Sequence, residues 1–237
     1  MQCFRLSHAG VALELDGAAL LIDPGSFSDE QELAAALDSA APIAALVITH
    51  EHPDHWTPAN VAAVRRVAPE APILTTAATA AALETAGITE RVQAVHEGDR
   101  VKAGPFLLEF YGRRHEQLHS SLPVVDNVGV RVNGTFAYGG DSLMRPPFSA
   151  DVLGVPIGSP WSNLSEVMNF VIDAAPRRAY LTHDMMLSPA GRNMYTMRVQ
   201  WCLDQVGGEL ITLPRLDDDA SARLDLGLPD PQGQNGF

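Results

Sequence analysis

Three of the eight histidines, His50, His52 and His55, stand within six positions, interleaved with Glu51, Pro53 and Asp54. Imidazole with carboxylate suits zinc, iron or manganese, whereas sites built on thiolates suggest a structural zinc. The chain has two cysteines, Cys3 and Cys202, too few and too far apart for a thiolate site, and at most one disulfide joins them. Pro53 biases His52 away from helical angles, so the segment reads as an extended loop. Residues two apart in such a segment point the same way, which lets His50 and His52 converge on one ion. Asp54 and His55 fall where the loop turns into the next helix and aim at a second position.

A metal needs further ligands from distant sequence, and four ionisable residues each stand just past an apolar run: Asp23, His115, Asp141 and His183. Polar groups at strand ends collect at one edge of a sheet, where α/β proteins bind ligands. Asp23 is followed by Pro-Gly and also reads as a plain turn. His119 lies four residues beyond His115 and competes with it as ligand, or reaches the substrate.

The elements that must position these groups follow from pattern. Short apolar runs at 3–7, 11–15 and 19–23 read as strands. Ser28 and Gln31 form a capping-box pattern opening a helix to about Leu37. The unbroken apolar run 44–49 reads as a strand buried on both faces. Thr57-Pro58 starts a helix to about Val67; a strand at 73–76, a helix at 76–85 and a strand at 92–95 follow. From Arg100 the texture changes to strands alone, at 101–103, 106–111, 128–132 and 136–138. Alternation returns with a strand at 152–155, a helix at 164–174, a strand at 179–182, a helix at 190–206 and a strand at 210–213. Two β-rich blocks carrying helices predict a single α/β (α+β) domain of four layers over residues 1–214. Residues 215–237 read as an acidic, Gly/Pro-rich tail that is loosely held.

Composition narrows the function classes. The chain has 237 residues with 46% hydrophobic and 19% charged, which excludes disorder as a whole-chain answer. Its net charge is −13, so a broad nucleic-acid surface is not expected. Neither a signal peptide nor an apolar run of membrane-spanning length is evident, and a cytoplasmic location is expected. Gly-x-Ser-x-Gly is absent, so no serine-nucleophile elbow is read.

His50, His52, Asp54 and His55, followed in order by His115, Asp141 and His183, resemble the metallo-β-lactamase superfamily over roughly residues 3–213. Leu6-Ser7-His8-Ala9-Gly10, Leu21-Ile22-Asp23-Pro24-Gly25 and Gly158-Ser159-Pro160-Trp161 are similar to its metal-dependent hydrolase branch, which includes ascorbate-6-phosphate lactonase-like proteins. The resemblance implies an αββα sandwich with two divalent metal ions at one edge. It implies that His50, His52 and His115 hold the first ion and that Asp54, His55 and His183 hold the second, with Asp141 bridging. Asp23 would orient a ligand histidine. Gly112 three residues before His115 matches the branch pattern and favours His115 over His119. Aspartate rather than cysteine at 141 makes a true β-lactamase unexpected.

Other residues carry two readings. His8 has a parallel in the family or simply packs near the sheet edge. Arg113 and Arg114 receive a phosphate or carboxylate in bidentate fashion, or are solvated. Trp161 lines the pocket or packs beside Pro160. The expected chemistry is hydrolysis by a hydroxide activated between two ions, with Zn2+ as first choice and Mn2+ or Fe fitting the same donors. Asp54 and Asp141 are the catalytic carboxylates, with Asp54 taking up the proton. The expected substrate is a small ester, lactone or phosphoester, anionic ones included. The rivals are a phosphodiesterase acting on nucleic acid or phospholipid, and a non-catalytic metal-binding scaffold or sensor of the same fold. Homo-oligomerisation is left open.

Overall fold

The computed structural model describes residues 1–215 and 221–227. In the first sheet β1 (Gln2–Arg5), β2 (Val11–Leu15) and β3 (Ala18–Ile22) run antiparallel. β4 (Ile43–Ile48), β5 (Ile73–Thr75) and β6 (Val92–Ala94) then extend it in parallel. Their crossovers are α1 (Glu30–Ser39), α2 (Pro58–Val67) and α3 (Ala77–Thr85). The second sheet repeats the plan. β7 (Arg100–Ala103), β8 (Phe106–Tyr111), β9 (Gly129–Val132) and β10 (Phe136–Tyr138) form a meander. β11 (Val152–Pro156), β12 (Arg178–Thr182) and β13 (Glu209–Leu210) follow in parallel, connected by α4 (Leu164–Ala174) and α5 (Pro189–Val206).

Strand periodicity builds the layers. Leu20, Ile22 and Val47 point inward and share one core with Phe106, Leu108, Val130 and Val132 of the facing sheet. Their neighbours Leu21, Leu46 and Ile48 point outward onto Leu33 of α1, Val61 of α2 and Leu83 of α3. On the other side Leu153 and Val155 pack against Val167 and Val171 of α4 and Val199 and Leu203 of α5. Each fully buried aliphatic side chain contributes about 1.5–3 kcal/mol, so both faces of both sheets are held. This is the αββα sandwich, and β4 is buried on both faces as its apolar run requires.

Three local readings change. The N-cap of α1 is Asp29, whose side chain accepts from the Glu32 amide at 2.8 Å, rather than Ser28. Ser28 is buried instead, its hydroxyl turned toward the Ser7 carbonyl. The strand expected at 210–213 is cut to β13, after which one bond continues from the Ile211 amide to the Ala179 carbonyl. The tail is not loosely held where it is described: β14 (Leu224–Asp225) pairs antiparallel with β1, and Leu226 enters the inter-sheet core. Arg223 adds an ion pair to Glu14 at 2.9 Å. The rest of the expected tail, 216–220 and 228–237, lies outside the described residues.

Cys3 and Cys202 are both free and buried, one between the sheets and one under α5, so the disulfide allowed by sequence does not form. Among the described residues no helix is long and apolar enough to cross a membrane. The loops that follow β3, β4, β8, β10 and β12 carry Asp23, His50 to His55, His115, Asp141 and His183 to one edge of the sandwich.

Candidate metal centre

The loop after β4 supplies four side chains. It closes on itself through the His55 amide, which donates to the His52 carbonyl at 3.0 Å. It is also clamped to the loop after β3, because Gly25 lies so close that an added Cβ would sit 1.8 Å from the Asp54 carbonyl oxygen. His50 Nε2 and His52 Nδ1 approach to 3.1 Å. From the second sheet, His115 and Asp141 bring Nε2 and Oδ2 to 3.2 Å, and His183 Nε2 stands 3.2 Å from the same oxygen. Asp141 Oδ1 meets His55 Nε2 at 3.1 Å, and Asp54 Oδ2 meets His183 Nε2 at 3.3 Å. Two groups result: His50, His52, His115 and Asp141; and Asp54, His55, Asp141 and His183. Within each group the candidate ligand atoms all lie within 4.8 Å of one another.

The far sides of four of the five rings are anchored. His55 Nδ1 donates to Asp23 at 2.7 Å, and His183 Nδ1 meets the Ser159 hydroxyl at 3.1 Å. His50 Nδ1 meets the Thr49 hydroxyl at 3.1 Å, while His115 Nδ1 faces the Glu116 carbonyl. With protons assigned to Nδ1 by these acceptors, Nε2 is left as a lone-pair donor turned inward. Thr49 donates its own hydroxyl proton to Asp23 at 2.6 Å, and its amide adds a bond at 2.8 Å. Asp23 therefore fixes the His55 ring. Its backbone lies in the left-handed region at φ 47°, as do His8 at 62° and His183 at 60°. That conformation costs roughly 1–2 kcal/mol per residue and is sustained by the surrounding bonds. The His8 carbonyl alone accepts from the His183 amide, the Thr182 hydroxyl and Arg5.

The donor set fits cations. His55 Nε2, His183 Nε2 and Asp141 Oδ1 are buried without a hydrogen-bond partner, although each faces an opposite polar atom at 3.1–3.3 Å. They are close but out of line for hydrogen bonds, which is the arrangement of atoms directed at a shared ion. Burial opposes charge on His55, yet Asp141 and Asp23 hold it well above the ordinary imidazole range. Asp141 and Asp54 raise His183 to about 9 against the same burial. His50 and His52 are lowered, first by burial and then by the neighbouring rings. Asp141 is held well below the usual carboxylate range against its burial, chiefly by His55 and His183. Nitrogen and oxygen donors, with no thiolate among them, suit divalent metal ions.

The remaining candidates sort clearly. His115, not His119, joins a group; His119 is exposed and engaged with Ser121. His8 stacks on His183 at 3.9 Å and reaches Asp54 Oδ2 at 3.3 Å. Trp161 donates its indole N–H to Asp141 Oδ2 at 3.0 Å and lines the cavity above. Arg113 and Arg114 do not reach that cavity: they line a neighbouring one, and Arg113 pairs with Glu97 at 3.1 Å.

Sequence reasoning missed Thr49, Ser159 and Asn127. Asn127 accepts from the Asp141 amide at 3.1 Å and donates to the Gly139 carbonyl. Gly140, at φ 62°, leaves that side chain room, since an added Cβ would meet its Oδ1 at 2.4 Å. The position of Thr49 and Ser159 beside motif residues was the one available signal.

The family model described as beta-lactamase superfamily domain matches residues 19–183. Protein Rv0786c of Mycobacterium tuberculosis is 29% identical over 204 residues, spanning 84% of this chain and 91% of that protein. The structure of Igni18, a metallo hydrolase from Ignicoccus hospitalis, superposes with a TM-score of 0.70 at 15% identity, over 96% of this chain and 99% of that one. YhfI from Bacillus subtilis, a metallo-beta-lactamase fold protein, gives 0.68 at 15% identity, over 90% and 96%. The chain belongs to the beta-lactamase superfamily and has the metallo-β-lactamase fold.

Proposed function

We propose that this protein is a metal-dependent hydrolase with a dinuclear centre, acting on a small ester, lactone or phosphoester. One observation carries the reading: seven side chains from both sheets converge as two groups that share Asp141. His50, His52 and His115 would hold one ion; Asp54, His55 and His183 would hold the other, with Asp141 between. Zn2+ is the first choice for this mixture of imidazole and carboxylate. Two bound cations supply Lewis acidity, making water nucleophilic near neutral pH and stabilising negative charge on a substrate oxygen.

The chain's own groups do the rest. Trp161 and Asn127 fix the Asp141 carboxylate and backbone, with Oδ2 between His115 and His183 and Oδ1 on His55. Asp54 is the most open of the three site carboxylates, with its side chain 23% exposed and lining the cavity. That exposure supports Asp54 as the group that would take the proton from attacking water. His8 holds Asp54 Oδ2 from behind. No side-chain nucleophile is needed; Ser159 is committed to His183 and Ser142 to the Met144 amide.

The test is metal analysis of Zn2+-loaded protein, followed by a panel of lactones, thioesters, phosphomonoesters and phosphodiesters. About two ions per chain and turnover of one class are expected. A content below about one per chain after supplementation would sink the dinuclear reading. Full metal with no turnover of any class favours the scaffold, and turnover of phosphodiesters alone favours the phosphodiesterase.

A further inference from the structure

The cavity over the centre has a volume of about 420 Å3 and a divided lining. Its floor is the candidate centre itself. Its wall is apolar: Leu118, Leu122, Pro123 and Val125 come from the single connection between β8 and β9, and Trp161 and Met186 stand opposite. Leu118 is 49%, Leu122 47% and Met186 48% exposed. Large apolar side chains left open around the mouth of one cavity mark a binding surface rather than chance exposure.

The charge distribution is equally one-sided. No lysine or arginine is among the described residues lining this cavity. The one charged lining residue outside the two metal-binding groups is Glu116, which is acidic and fixed by the Leu143 amide at 2.8 Å. The connection that supplies the apolar wall begins with Arg113 and Arg114, and it turns both into the neighbouring cavity. A phosphate or carboxylate remote from the reacting atoms would therefore find no cation, and would meet Glu116.

We infer that the substrate is a carboxylic ester or lactone whose non-reacting part is a neutral hydrocarbon chain seated against Leu118, Leu122 and Met186. This rests on the hydrolase reading and narrows it. In the reaction the acyl C–O bond breaks, and water gives OH to the acyl carbon and its other hydrogen to the leaving oxygen. The chain gains only from burial. Each methylene that fits is worth about fourfold in kcat/KM or affinity.

The experiment pairs binding with turnover on Zn2+-loaded protein. Calorimetry measures straight-chain alkyl hydroxamates of about two to about eight carbons, and the same chains ending in a carboxylate. Matched esters and lactones are assayed for hydrolysis. Affinity is expected to rise about fourfold per methylene for the neutral series, and to drop at least about tenfold when the far end is a carboxylate. Leu122→Lys is expected to move that selectivity by about tenfold toward the anionic chain, with Leu118→Lys as an independent second variant.

Equal or tighter binding of the anionic chains, no dependence on length, or unmoved selectivity in both variants overturns the inference. Hydrolysis of phosphorylated substrates would in that case keep the hydrolase reading. The expected binding pattern with no hydrolysis of any member overturns the ester or lactone assignment, and the hydrolase reading then falls only if the thioesters, phosphomonoesters and phosphodiesters are not turned over either.

Discussion

The two halves of the candidate centre are built differently. The first sheet delivers His50, His52, Asp54 and His55 from one loop that is bonded to itself and to the adjacent loop after β3. The second delivers His115, Asp141 and His183 from three connections; the amides of Asp141 and His183 are tied to another segment, and that of His115 across its own connection. The His115 amide donates to Val125, the Asp141 amide to Asn127 and the His183 amide to His8. The first half is therefore positioned by local chain geometry. The second is positioned by sheet register and by long-range bonds, so it has more ways to fail.

The sharpest way to break that division is Asp141→Ala, because this carboxylate belongs to both groups. Metal content is expected to fall below about one ion per chain, and turnover by about a thousandfold, equivalent to several kcal/mol of lost charge stabilisation. Retention of a full first ion would show that the halves work independently. Next in size is Arg5→Met. Arg5 is buried and pairs with Asp184 at 2.7 Å, beside His183, leaving Arg192 as the remaining ion-pair partner of that carboxylate. Breaking a buried pair on one side should destabilise by about 3 kcal/mol, and lower the thermal midpoint by on the order of 10 °C. An ion bound at the group containing His183 should be lost before one bound at the group containing His50 and His52, as seen by metal analysis at increasing chelator.

A third comparison uses protons. The neighbouring carboxylates hold His55 above the ordinary imidazole range and raise His183 to about 9, both against their burial. Ligation requires neutral imidazole, so loading at pH 7 should release about two protons per chain, both from the group that contains His55 and His183. The release should vanish as the starting pH rises through the raised pKa values. Titration in weak buffer measures it. A release of about one proton would mean that the ring from one sheet is held charged before loading and the ring from the other is not.

The asymmetry also explains what could be read in advance. The apolar run of β4, the cluster after it and the Thr57-Pro58 helix start are local patterns, and they appear where the sequence places them. His115 over His119 was legible because Gly112 marks the strand end. Long-range partners carry no such mark. Arg5 and Asp184 are separated by 179 positions, and the strand that caps β1 comes from residues 224 and 225. The direction of Arg113 and Arg114 depends on how one connection leaves β8, which no local pattern encodes. Asp29 displaced Ser28 as the cap because the carboxylate reached the Glu32 amide while the serine was drawn into the core.

The smallest effect concerns the anchors behind His55 and His183. Asp23 holds His55 Nδ1 with a buried carboxylate that also takes two bonds from Thr49. Ser159 holds His183 Nδ1 with one neutral hydroxyl. A charged acceptor stabilises the donating ring more strongly than a neutral one and raises its basicity as a ligand. Asp23→Asn should therefore weaken metal binding about 10- to 100-fold. Ser159→Ala should weaken it only about fivefold, the equivalent of one ordinary hydrogen bond. Equal losses in the two variants, read by chelator competition, would mean that the neutral hydroxyl anchors His183 as firmly as the carboxylate anchors His55, whereas no loss in Ser159→Ala would mean that His183 is held by its backbone bond to His8 and its φ of 60°. Where affinity is lost, Ser159→Thr finds the cause, because it restores the hydroxyl without touching the backbone: recovery of affinity assigns the effect to the anchor, and no recovery assigns it to the chain.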